Sequence, residues 1–229
     1  MAQLKSQTFG VINGKVGNVV YRQVNGKTFA SIRPDKYNVT NTEKSVKVKT
    51  GFKNLVKFSA YINSIPILKA VWFNKKIQRG KRTYNKIFSH NKRLIKSDNI
   101  NKLFSIVPES RNGNILIYNF TIAQNQFNFL LKLADKVDKY NDSKFVSVLV
   151  IYNIKNGQFP YQADELIPED VLDQYNVAIQ FSDENYNSFN SNEESILFHT
   201  LVWLNDSDQI IDWSDSLGLS NNSQYYRIL

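Results

Sequence analysis

Phe145-Val146-Ser147-Val148-Leu149-Val150-Ile151 is the stretch that decides the fold of the C-terminal half. It is rich in β-branched side chains and nearly continuous in apolar character, so it reads as a central strand covered on both faces. The run continues to Ile154, interrupted by Ser147 and Tyr152, and is too short to span a bilayer. Working outward, Leu103–Val107, Ile115–Ile122, Phe127–Leu133, Val177–Phe181, Ile196–Leu204 and Ile210–Trp213 read as further short strands, separated by clusters of Ser, Asn, Asp and Gly. No long helical pattern intervenes, which predicts an antiparallel β-sandwich. Residues 155–175, with Pro160, Pro168 and four acids from Asp164 to Asp170, read as a long acidic connection with room for one helical turn.

Before residue 102 the period differs. Val19–Val24 and Lys27–Arg33 flank Asn25-Gly26, the strongest two-residue hairpin signal, because a type I′ turn needs positive φ at both central positions. Pro34 ends the pairing, having no N–H to donate. Gly10, Gly14 and Gly17 make the lead-in read as a permissive loop. Thr40-Asn41-Thr42-Glu43 matches a capping box. Val48, Phe52, Leu55, Ser59 and Ile62 then share one helical face. A second short helix should bury Leu68, Val71 and Trp72. A third, about Arg82 to Lys96, should turn Tyr84, Ile87, Phe88, Asn91 and Leu94-Ile95 inward.

The charges are sorted along the chain. Residues 1–111 hold 23 Lys and Arg against four acids, whereas residues 112–229 hold 6 against 16. The net charge of +9 therefore conceals a basic half joined to an acidic one, which favours a polyanion-binding or assembly surface over a catalytic pocket. The absence of cysteine excludes disulfides, thiolate catalysis and Cys-based zinc sites. Met1 to Phe9 has no apolar core of a signal peptide.

No catalytic constellation survives inspection. Gly10-Val11-Ile12-Asn13-Gly14-Lys15 lacks the spacing of a phosphate-binding loop, has Val16 where a Mg²⁺-binding hydroxyl belongs, and precedes a hairpin. His90 and His199 lie in opposite halves and read as a surface residue and a half-buried strand residue. The acid pairs Asp164-Glu165, Glu169-Asp170 and Glu193-Glu194 read as solvated surface. Neither a cofactor nor a metal site is expected. The sharpest local signal is Asn74-Lys75-Lys76-Ile77-Gln78-Arg79-Gly80-Lys81-Arg82, five cations in nine residues, flanked by Trp72-Phe73 and Tyr84. It reads as a loop for phosphates or for an acidic subunit, with Arg22, Lys27 and Arg33 of the hairpin as companions.

The first 95 residues also show an ordered set of short features: Gly14-Lys15-Val16-Gly17, Asn25-Gly26-Lys27-Thr28, Arg33-Pro34, Thr40, Phe52, Trp72, and then Gly80, Tyr84-Asn85, Phe88 and Asn91. In this order they resemble small basic proteins of phages and prophages and a Bacteroidota family with similar openings. Those proteins often carry Gln where this chain has Glu43. The resemblance implies a mobile-element or virion context and names no catalytic residues.

The expectation is an α+β chain in three parts: a basic hairpin-plus-helices module (1–101), an acidic antiparallel β-sandwich (102–217), and a mobile tail (218–229). Its expected role is that of a non-enzymatic structural or assembly protein of a phage-like particle, in the virion or the cytoplasm. Its expected partners are copies of itself or other particle subunits, with no insertion into a membrane. The alternatives are a cytoplasmic DNA- or RNA-binding protein and a carbohydrate-binding sandwich using Trp203, Trp213, Tyr225 and Tyr226.

Overall fold

The computed structural model describes residues 2–3, 14–24, 26–33, 41–74, 82–95, 99–110, 114–123, 125–133, 143–166, 174–190 and 194–221. Asn25, Pro34, Thr40 and the acid pairs at 169–170 and 193 fall outside them, as do Tyr225 and Tyr226. The chain divides into two compact units, residues 1–45 and 46–229. Its α+β class is the one that the sequence implies.

The N-terminal unit is a four-stranded sheet in the order β1-β4-β3-β2. Its strands are β1 (Ala2–Gln3), β2 (Gly14–Val16), β3 (Val19–Val24) and β4 (Lys27–Ile32). The expected hairpin is the β3–β4 pair, with Val24 opposite Lys27 and Gly26 at φ +75. The glycine-rich lead-in is more than a loop, however. Gly14–Val16 pairs with β3 through a tight turn in which Gly17 takes φ +58. A lone hairpin is marginal in water, and the flanking strands supply the pairing it lacks.

In the C-terminal unit, β7 (Lys144–Asn153) and β10 (Ser195–Leu204) form the centre of a five-stranded sheet. Their antiparallel register sets Phe145 opposite Trp203 and Ser195 opposite Asn153. Strand alternation then divides each strand between two cores. Val146, Val148, Val150, Tyr152, Ile196, Phe198, Val202 and Leu204 pack with Leu55, Phe58, Leu68, Val71 and Ile87 of the helices. Phe145, Leu149, Ile151, Leu197, Leu201 and Trp203 pack with Phe127, Phe129, Leu131, Val177 and Ile179 of a second sheet. That sheet has the order β5-β6-β9, from β5 (Ile115–Ala123), β6 (Gln126–Leu133) and β9 (Gln174–Gln180). The nearly continuous apolar run of β7 is therefore the signature of a sheet covered by helices on one face and strands on the other.

Three helices form the outer layer: α1 (Glu43–Ser64), α2 (Pro66–Asn74) and α3 (Thr83–Asn91). Thr42 Oγ1 accepts from Ser45 N at 3.3 Å and so caps the start of α1, while Thr40 of the expected capping box lies outside the described residues. Pro66 begins α2, where its missing N–H costs nothing. Charge and periodicity change near residue 102, but packing is continuous across it. The compact division lies at Ser45/Val46, because the stripe on the helices and the face of β7–β10 cover each other. The stripe also differs from the expected one. Gly51, Leu55, Phe58, Ser59 and Ile62 are buried, while Val48 and Phe52 remain 68% and 52% exposed. No residue of α1 before Gly51 is buried, and Val46 and Val48 there are largely exposed.

Leu103–Val107 is not a strand. Its backbone groups are taken up by side chains, which removes the need for a ladder partner. Trp72 Nε1 donates to Ile106 O at 2.8 Å and Trp213 Nε1 to Pro108 O at 2.7 Å. The buried Asn91 donates to Ser105 O at 2.9 Å and accepts from Ser105 N at 2.7 Å. The acidic connection contains the strand β8 (Tyr161–Leu166), which pairs with β7 and forms a sheet edge. Its charges suit an edge, since they discourage further pairing. The short helix α4 (Asp183–Asn190) and two C-terminal strands, β11 (Ile210–Trp213) and β12 (Leu217–Ser220), complete the unit. β12 pairs with β10, so Gly218–Ser220 belong to the sheet and not to a tail.

Candidate basic interface

The N-terminal sheet sorts its charges by face. Register sets Lys15 opposite Val20, Arg22 opposite Phe29 and Lys27 opposite Val24. The ladder continues with Arg33 N donating to Asn18 O at 2.8 Å. By strand alternation Lys15, Arg22, Lys27 and Arg33 project from one face, and all four are exposed. The opposite face carries Val16, Val19, Tyr21, Gln23, Thr28, Ala30 and Ile32, with no charge. Val16 and Ile32 there are 63% and 79% exposed. The sequence alone points to three of these cations and not to Lys15, whose strand reads as a loop. Alternating polarity across three residues is too short a signal to reveal a strand.

In the C-terminal unit the helical layer carries the basic residues. Lys49, Lys53 and Lys57 recur every fourth position on the exposed side of α1, like charges that repel along the helix. Lys75, Lys76, Arg79 and Lys81 of the basic loop lie outside the described residues. Both ends of the loop are described. Lys86 Nζ donates to Trp72 O and Phe73 O at 3.3 Å, which sets a cation at the C-terminus of α2. Arg82, exposed, is the N-cap of α3 and makes no side-chain cap bond. A cation there opposes the helix dipole, and an anionic partner would relieve it. Phe73 is 73% exposed, whereas Trp72 is buried and engaged with Ile106. Of the two aromatics before the loop, only Phe73 presents a face to solvent.

The residues considered for other chemistry are structural. Ser147 Oγ and His199 Nε2 lie 3.0 Å apart, but both side chains are fully buried between the two sheets. The imidazole packs against Phe127 and Phe129 at centroid distances of 4.8 and 4.9 Å. No substrate reaches this pair, and His199 is a core residue, more buried than the sequence suggested. Burial pushes its pKa from 6.5 down to about 3. Between those values the unfolded chain binds a proton that the folded chain refuses. The contribution of the neutral imidazole is complete above pH 6.5 and is lost as pH falls toward 3. Unfolding titrations of wild type and His199→Leu should thus diverge in pH dependence by up to about 1.4 kcal/mol per pH unit between these limits. Parallel curves would contradict the assignment.

The acids are dispersed. Asp164 and Glu165 are neighbours on β8 and so face opposite sides of the sheet. Lys144 bridges Asp208 at 2.8 Å and Glu165 at 3.1 Å, and these hydrogen bonds raise its pKa. Asp183 and Glu184 occupy the first turn of α4, where the dipole favours them. No group of three or more His, Asp or Glu among the described residues is placed to hold a metal ion. Trp203 and Trp213 are buried in different cores, one on each side of the five-stranded sheet, and offer no shared platform for a sugar. No helix among the described residues is long and apolar enough to cross a membrane.

No family model matches this chain, and no curated protein matches it. Among solved structures it is similar to the X-ray structure of Northeast Structural Genomics Consortium target SoR45. The similarity covers 52% of this chain and 94% of that one, at 9% identity and a TM-score of 0.28. At that level neither fold nor function carries over.

Proposed function

We propose that the protein is a non-enzymatic assembly subunit of a phage-like particle, docking through the basic face of its N-terminal sheet onto an acidic protein surface. The observation that carries this reading is the convergence of Lys15, Arg22, Lys27 and Arg33 on one face, with none of the sheet's charges on the other. Complementary charge is present in the chain itself, since residues 112–229 carry 16 acids against 6 cations. A contact between the basic sheet of one copy and the acidic half of the next is heterologous, and such contacts generate rings or filaments. The particle context rests on the resemblance of residues 14–91 to phage and prophage proteins.

Charge reversal tests the docking. Light scattering after size exclusion should show wild-type mass above that of a monomer at about 50 mM salt, falling toward the monomer at about 1 M, where screening is nearly complete. Lys15→Glu combined with Arg22→Glu and Lys27→Glu should be monomeric at both. A wild type that stays monomeric at low salt, or a triple variant that assembles normally, overturns this reading. A nucleic-acid partner, the second reading, is favoured by a separate surface on the helices.

A further inference from the structure

The helical layer carries a cluster of aromatic rings that the core does not absorb. Phe52 of α1 is 52% exposed and meets Phe88 of α3 edge-on, with ring centroids 5.4 Å apart. Phe88 in turn stacks on Tyr84 at 6.2 Å. Cations flank the three rings in sequence. Lys49 lies one turn before Phe52 and Lys53 follows it. Arg82 precedes Tyr84, and Lys92 lies one turn beyond Phe88. All four cations are exposed. The one acid among the described residues of these helices is Glu43, nine residues before Phe52 and about 13 Å away along the axis.

We infer that this α1–α3 surface binds single-stranded nucleic acid, with Phe52 stacking on an unpaired base and Lys49, Lys53, Arg82 and Lys92 contacting phosphates. An exposed ring among exposed cations matches the two demands of a single strand, a π-face for the base and positive charge for the backbone. A duplex keeps its bases stacked on one another and offers Phe52 no face. An acidic protein surface would satisfy the lysines but has no use for the exposed ring. The site lies in the C-terminal unit and does not depend on the docking face of the N-terminal sheet.

Fluorescence anisotropy tests it with full-length protein, a labelled 20-mer of oligothymidylate, and the same strand annealed to its complement. The single strand should bind more tightly than the duplex. Phe52→Ala should weaken it about 5- to 150-fold, the range of one base–aromatic stack, without changing the salt slope. Phe52→Trp should restore binding. Changing Lys49, Lys53 and Lys92 together to Ala should flatten the log–log salt slope by about two units, at about 0.7 per phosphate contact on a single strand. Half exposed, Phe52 can be removed without unfolding the protein, which the melting curve of Phe52→Ala checks directly. Equal affinity for single strand and duplex, a neutral Phe52→Ala, or no binding at about 50 mM salt overturns the proposal. So does a Phe52→Ala variant whose effect is loss of self-association with nucleic-acid affinity intact. The charge-reversed N-terminal sheet should leave oligothymidylate affinity within about twofold, less than the loss of one phosphate contact, so the two readings fail separately.

Discussion

Phe58→Ala should lower the unfolding free energy by about 3–5 kcal/mol, the usual cost of emptying a fully buried phenylalanine site. Phe58 has no exposed surface and makes edge contacts with Phe104 at 5.3 Å and Phe198 at 5.6 Å, joining helix α1, the 99–110 loop and strand β10. The loss should therefore appear in helix and strand signals together. Denaturant unfolding followed by far-ultraviolet circular dichroism and by tryptophan fluorescence reads both. Coincident transitions that shift together are expected of residues 46–229, and a helical signal lost ahead of the strand signal would contradict a shared core. For a domain whose whole stability is about 5–15 kcal/mol, this one truncation removes a large part of it.

Gly218→Ala should be the next most damaging change. Gly218 sits in β12 opposite Phe198, and its backbone lies against the main chain of Lys102. A Cβ at this position would overlap the Lys102 carbonyl oxygen and stand 2.8 Å from the carbonyl carbon. The main chain there cannot easily yield, because Trp72, Trp213 and Asn91 all hold the segment that follows it. Overpacking of this kind costs about 1–3 kcal/mol, and more where backbone must move. An unfolding free energy from urea titration within about 0.5 kcal/mol of wild type, the range of an ordinary surface change, would show that the approach is not tight.

Most of the strands were legible because their residues carry period-2 or continuous apolar runs of six or more. β5, β6, β7 and β10 lie within a residue or two of their expected bounds. The failures share one cause. Leu103–Val107 is as apolar as a strand, but its polar backbone is satisfied by an indole, an asparagine and a serine from distant parts of the chain. β8 reads as an acidic loop because its composition is that of an edge, covered on one side only by β7. β2 and β12 are too short to show a period, and each exists because a neighbouring strand offers it a ladder. Of the basic site, Arg22, Lys27 and Arg33 were legible as charges, but that they share a face with Lys15 was not. Phe52 was assigned to the core, since its helical phase is right and only the extent of the sheet beneath could show that it is left uncovered.

By itself the sequence determined what local chemistry controls: the α+β class, the Asn25-Gly26 hairpin, the helix that Pro66 begins, the central strand at 145–151, and the separation of basic from acidic residues. Tertiary structure decided which surfaces those elements cover. Both faces of β7 and β10 are apolar, so one face requires the helices and the other requires the second sheet, and the charge boundary near residue 102 falls inside a single core. Register decided the rest. A shift of one residue between β3 and β4 would move Arg22 and Lys27 to opposite faces of the N-terminal sheet, and only the pairing of the folded strands brings its four cations together.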